Sequence, residues 1–164
     1  MAILIDNMYQ VLEVWYPYLR LREAGMHPIL VGVEKKEYYS KEQYPAMAEI
    51  TVREAYAQEF AAVIVPGGYA PDILRRYQEV NNFVKNMHNQ GKVVAAICHG
   101  GWVLISAGIL KDKNVTGFFA ITDDLINAGA KFIDQEVVVD GQLITSRKPE
   151  DLPAFCKKLI ALLS

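Results

Sequence analysis

The chain predicts an α/β fold in which a mostly parallel sheet is covered by helices on both faces. Strand-like and helix-like segments alternate from one end of the sequence to the other, which is the pattern of consecutive βαβ units. Two strand-like runs, Ala61-Ala62-Val63-Ile64-Val65 and Val93-Val94-Ala95-Ala96-Ile97, are apolar throughout, as expected of strands buried on both sides. Each leads into a loop of small residues, Pro66-Gly67-Gly68 after the first and Cys98-His99-Gly100-Gly101 after the second. Open α/β sheets bind ligands at such strand ends, so the two loops are expected to be neighbours.

Taken in order, Ala2–Ile5 is the first strand, and Asp6 and Asn7 are placed to cap the helix after it, which Gly25 closes. Apolar residues on more than one side of that helix (Leu12, Val14, Trp15, Leu19, Leu21) suggest a packing partner besides the sheet. Pro17 removes the bond to the Glu13 carbonyl and implies a kink or a late helix start. Residues 28–33 form the second strand, and the polar stretch 34–45 is read as an excursion hairpin. A strand at 49–52 and a short helix at 53–60 lead into the apolar run 61–65. Helices follow at 71–76 and 78–90, with Gly91 as a stop before the second apolar run. His99–Ala107 is a helix ended by Gly108, and Thr122 is placed to cap a helix over 123–127. Strands at 136–139 and 142–146 flank an Asp140-Gly141 turn, and a last helix covers 150–163. Cys156 falls in the apolar pattern of that helix and reads as a core residue.

The 164 residues are 52% hydrophobic and 22% charged, a composition for one folded domain with apolar surface left for subunit contacts. The formal net charge of −2 gives no electrostatic case for nucleic acid or a membrane as partner. No apolar stretch approaches the roughly 20 residues that span a bilayer, no leader pattern precedes the first strand, and the two cysteines are far apart. A cytoplasmic protein with reduced thiols is expected. Zinc-type spacings, a Walker loop and a GxGxxG motif are absent, so neither metal nor cofactor is expected.

Chemistry centres on Cys98. A buried strand that stops at a cysteine and continues as a helix displays the thiol beside unpaired helix amides, which should lower its pKa. Of the three histidines, His27 and His88 read as solvated residues, whereas His99 adjoins the thiol. Neighbours on a regular helix do not face each other, so a Cys98–His99 pair requires a distorted turn. The backbone amides of Gly68 and His99 are candidates for an oxyanion hole. No acid lies close to His99 in sequence, and Asp72 is the candidate for orienting it, from another loop or another subunit.

These residues, with Tyr16-Pro17-Tyr18, Val65-Pro66-Gly67-Gly68-Tyr69-Ala70-Pro71, Ala96-Ile97-Cys98-His99-Gly100, Asp123-Asp124-Leu125-Ile126-Asn127-Ala128-Gly129 and Val137-Val138-Val139-Asp140-Gly141, make the chain resemble the PfpI family of intracellular cysteine peptidases. That family shares a superfamily with the Parkinson's-linked protein deglycase, glyoxalase III enzymes and glutamine amidotransferase domains. The resemblance spans residues 1–164 as one domain. It implies a flavodoxin-like three-layer sandwich with a nucleophile elbow and a small β-hairpin. It also implies Cys98 as nucleophile, His99 as its imidazole, a Gly68 and His99 oxyanion hole, Tyr69 and Phe118 at the pocket, and an acid, here Asp72, supplied by a neighbouring subunit. The resemblance implies homodimers that can assemble further into hexamers as the expected partners.

Two departures follow from the alignment. Counting from Tyr16-Pro17-Tyr18, the family's glutamate beside the nucleophile falls at Gln10, which cannot exchange a proton, and Glu13 matches a different position. Phe118 stands where related peptidases carry a tyrosine. The leading expectation is therefore a PfpI-type cysteine hydrolase acting on amides. Glutathione-independent glyoxalase or deglycase chemistry is an alternative that the absent carboxylate disfavours. A redox sensor using an oxidisable Cys98 is a third.

Overall fold

The computed structural model describes all residues from Met1 to Ser164. Its elements in chain order are β1 (Ala2–Leu4), α1 (Val11–Glu23), β2 (Ile29–Gly32), β3 (Glu37–Tyr39), β4 (Pro45–Met47), β5 (Ile50–Thr51), α2 (Val52–Ala55), β6 (Ala62–Val65), α3 (Ala70–Leu74), α4 (Gln78–Asn89), β7 (Val93–Ile97), α5 (Gly101–Ala107), β8 (Asn114–Val115), α6 (Thr122–Asn127), β9 (Lys131–Phe132), β10 (Val137–Asp140), β11 (Leu143–Ser146) and α7 (Leu152–Leu163). Seven strands form the main sheet in the order β10-β11-β7-β6-β1-β2-β5. Every neighbouring pair in it is parallel except β10–β11.

Side chains alternate across the sheet, and the two apolar sets build two cores. Leu4, Val63, Val65, Val94 and Ala96 face α2 to α6. Ile3, Ile5, Ile64, Ala95 and Ile97 face α1, α7 and the β3–β4 hairpin. The three-layer α/β sandwich expected from the sequence is the observed architecture. Cys156 is fully buried in the second core, as read. No helix is long and apolar enough to cross a membrane.

Three local expectations are corrected. Asp6 and Asn7 do not cap α1: Asp6 accepts from the Asn7 amide at 2.7 Å, and Asn7 Oδ1 accepts from the Tyr39 amide at 3.1 Å. The chain after β1 instead turns through Met8 at a φ of 65° and pairs on one side with Ser40 and on the other with Gly68, both through Tyr9. The helix therefore starts late, with Gln10 as N-cap accepting from the Glu13 amide at 2.9 Å. Thr122 lies inside α6 and donates its hydroxyl to the Phe119 carbonyl at 2.8 Å. In the β10–β11 hairpin Asp140 pairs with Leu143, so the turn is Gly141-Gln142. Gly141 takes the positive φ of 62° that the first turn position of a type II′ hairpin requires. The parallel pair β8–β9 had no counterpart in the sequence pattern, each strand being only two residues long.

Replacing Gln10 by Ala removes the α1 cap and should lower stability by about 1 kcal/mol, a fall in Tm of roughly 2–4 °C for a chain of this size. Thermal unfolding monitored by far-UV circular dichroism checks this; an unchanged Tm would contradict the capping role.

Candidate active site

β7 ends at Ile97, and Cys98 follows with a φ of 59°, a left-handed conformation that a side-chain-bearing residue adopts only when its surroundings enforce it. Those surroundings are small and close. A Cβ at Gly100 would strike the Val65 carbonyl, and one at Gly67 would lie 2.7 Å from Cys98 Cβ. The Phe118 amide donates to the Cys98 carbonyl at 3.3 Å. One turn of 3-10 helix over Cys98–Gly100 then leads into α5. This is the distorted turn that the Cys98–His99 pair requires, and it places His99 Nδ1 3.3 Å from Cys98 Sγ. The imidazole is held against the Trp102 and Phe118 rings, with centroids 5.0 and 4.9 Å away.

Gly68 takes a φ of 79° because any Cβ would meet the Met8 carbonyl and the Gln10 amide at 2.5 Å. Its amide and that of His99 both lie close enough to the Cys98 thiol to favour its charged form, so the two groups expected to form an oxyanion hole converge on Cys98. The loops after β6 and β7 meet, as expected. Tyr69 and Phe118 line the resulting cleft of about 360 Å³.

The carboxylate beside the thiol is Glu13, not a residue at position 10. Glu13 is fully buried, and its Oε2 accepts from the Gly67 amide at 2.6 Å. The same carboxyl interacts with the Cys98 side chain. Gln10 lines the cleft but spends its carbonyl oxygen on the helix cap. The physical reason is helical phase: Glu13 shares a buried face with Val14, Pro17 and Leu21, so the side chain pointing inward from the first turn is the one at position 13. An acid within that otherwise apolar stripe was the signal that counting from Tyr16-Pro17-Tyr18 missed.

Burial pushes the Glu13 carboxyl up to about 7, with the Gly67 amide pulling the other way. Its Oε1 has no hydrogen-bond partner within the chain. Burial, and secondarily the Glu13 charge, pushes the Cys98 thiol up to about 12, against the His99 and Gly68 amides. The expectation of a lowered thiol pKa is thus corrected: at 7% exposure loss of water outweighs the helix-terminal amides. Burial, and then the charge of Lys41, shifts His99 downward. The resting site is a thiol beside a neutral imidazole and a carboxyl that titrates near neutrality.

Asp72 sits in the first turn of α3, ion-paired with Arg76 and with a side chain 29% exposed. Within the chain no carboxylate bonds His99, whose one side-chain hydrogen bond is to Cys98. His88, read as solvated, is half-buried with Nδ1 unpartnered. Lys41, which reaches the cleft from the β3–β4 excursion, was not singled out from the sequence. No local pattern marks it, because only the Tyr9–Ser40 pairing carries that loop to the site. No cluster of three or more His, Cys, Asp or Glu side chains is arranged to hold a metal ion.

Because the folded Glu13 pKa lies above its ordinary 4.5, its stabilising contribution is complete below pH 4.5 and is lost as the pH rises through 7. That loss amounts to about 3 kcal/mol by pH 9. Glu13→Gln should therefore gain stability relative to the parent chain on going from pH 5 to pH 9, as read from denaturant unfolding; parallel pH profiles would contradict the buried titration.

The DJ-1/PfpI family model matches residues 1–162. Deglycase PfpI of Pyrococcus furiosus is 41% identical over 157 residues, covering 96% of this chain and 95% of that protein. Protein/nucleic acid deglycase 2 of Escherichia coli is 39% identical over 167 residues, covering 99% of this chain and 96% of its own. Among solved structures, a two-domain protein from Anabaena variabilis with DJ-1/ThiJ/PfpI-like and ferritin-like domains superposes with a TM-score of 0.96 at 43% identity over 99% of this chain. The present chain spans 47% of that protein's length. With its elbow cysteine, its converging glycine loop and a family match over nearly its whole length, the chain belongs to the DJ-1/PfpI family.

Proposed function

We propose that the chain is a Cys98-dependent enzyme that processes α-oxo aldehydes and the early adducts they form with amines, a deglycase-type hydrolysis. The observation that carries this reading is the buried Glu13 carboxyl, titrating near 7 against the thiol. A proton shuttle works best when its pKa lies near the working pH. The carboxylate that the alignment placed at Gln10 and found missing is supplied from Glu13, so the objection to this chemistry is removed. Two relatives named as deglycases support the same reading.

In this scheme His99 Nδ1 takes the proton from Sγ as the sulfur adds to the aldehyde carbon. In an adduct, the sulfur displaces the amine from the same carbon, the C–N bond breaks as the C–S bond forms, and the amine leaves with the proton that His99 took from Sγ, so the same hemithioacetal results. The developing oxyanion accepts from the Gly68 and His99 amides. Glu13 removes the proton from the former aldehyde carbon and returns it to the neighbouring ketone carbon, which converts the hemithioacetal into a thioester. Water then cleaves the thioester, releasing a 2-hydroxy acid and the thiol.

Cys98→Ala should abolish lactate formation from methylglyoxal. Glu13→Gln should lower kcat by roughly 10²- to 10⁴-fold and remove the limb of the pH profile that rises near 7. If Glu13→Gln leaves lactate formation intact, the proposed shuttle is wrong. If it retains cleavage of a fluorogenic peptide amide while Cys98→Ala loses it, the amide hydrolase is the better description.

We also infer that the acid orienting His99 is Asp72 of a second copy. The inference rests on the family resemblance and on the lack of any carboxylate bonded to His99 within the chain. Asp72→Asn should then reduce kcat/KM without changing the oligomeric mass measured by light scattering. Mixing Asp72→Asn with Cys98→Ala subunits should restore activity. No recovery in mixtures shown to exchange subunits would place the acid elsewhere.

A further inference from the structure

Lys41 is the one charged side chain in the cleft that the thiol chemistry leaves unused. It lies in the loop between β3 and β4, and no other lysine or arginine lines the cleft. Its backbone is fixed: the Lys41 amide donates to the Tyr9 carbonyl at 3.0 Å. The preceding Ser40 is fully buried, and its hydroxyl accepts from the Glu42 and Tyr44 amides, each at 3.0 Å. The ammonium is unpaired, since every ion pair in the chain is made by another cation. Its charge acts on both Glu13 and His99. Glu150 acts on Glu13 with the opposite sign, but it neither lines the cleft nor pairs with Lys41.

An unpaired cation on a fixed loop that lines the same cleft of about 360 Å³ as the thiol is suited to the far end of a small substrate. We propose that Lys41 receives an anionic tail, so that the site selects α-oxo aldehydes bearing a carboxylate over neutral ones. This rests on the activity proposed above. A carboxylate fits better than a phosphate, because one ammonium balances one charge, and the second charge of a phosphate would face Glu13. Lysine supplies a compact point charge on a flexible stem, so the tail need not present a planar, two-pronged geometry. Binding also displaces water from between the charges, which strengthens their attraction.

The test uses the full chain with 4,5-dioxovalerate and its methyl ester, which differ in the tail charge. Each conversion adds one water, oxidises the aldehyde carbon to a carboxylate and reduces the ketone carbon to a carbinol, so no external oxidant is needed. The parent chain should favour the acid by roughly 10- to 100-fold in kcat/KM, the size of a charge-assisted hydrogen bond. Lys41→Met should collapse that ratio toward unity, chiefly through the KM for the acid, and Lys41→Arg should restore most of it. No preference in the parent chain, or an equal loss on both substrates in Lys41→Met, would overturn the proposal. Turnover of neither substrate by the parent chain would instead overturn the activity reading. In that case calorimetry of 2-hydroxyglutarate on Cys98→Ala, with and without Lys41→Met, reads the Lys41 contact alone. Equal affinities there would overturn it.

Discussion

Beneath Cys98, the Glu13 carboxyl accepts the Gly67 amide at 2.6 Å inside the apolar layer, and the arrangement of the site follows from that bond. It ties the first turn of α1 to the loop after β6 and sets both against the elbow after β7. A carboxyl without water is costly to ionise, and one amide offsets only part of that cost. The group therefore holds its proton up to about neutral pH. The same burial that raises Glu13 raises Cys98, so neither gives up its proton easily while the other is charged. A site of this kind keeps its thiol protonated at rest and moves protons among sulfur, imidazole and carboxyl as the reaction proceeds.

Backbone geometry carries the second half of the arrangement. Cys98 in the left-handed region costs on the order of 1–3 kcal/mol, and the close approach of Gly67 and Gly100 leaves no room for the loop to relax. Gly68, with its own positive φ, is held by the segment Met8–Gln10. The irregular turn after β1 is thus part of the site. It braces the glycine loop and draws the β3–β4 excursion close enough for Lys41 to reach the cleft.

Much of this was legible in the amino-acid order. The fully apolar runs at 61–65 and 93–97 announce central parallel strands, and the small residues after each announce the two loops that meet. Gly25, Gly91, Gly108 and Gly141 end their elements with positive φ values, because a residue without a Cβ alone takes that conformation at little cost. Local pattern and structure differ where a side chain had a local role on offer and a distant partner prevailed. Asn7 could have capped a helix, yet it bonds Tyr39, thirty-two residues away. Counting from a motif points to Gln10, whereas the position beside the thiol falls to Glu13 because its face of α1 turns inward.

By itself the sequence determined the sandwich, the elbow cysteine, its histidine neighbour and the glycine loop opposite, since each of these rests on residues adjacent in the chain. Only the tertiary structure decided that Glu13 rather than Gln10 stands beside the thiol, that burial raises the thiol pKa instead of lowering it, and that Lys41 faces the cleft. Those outcomes depend on which groups lose their water together. Desolvation is a property of the packed interior, and no short stretch of sequence records it.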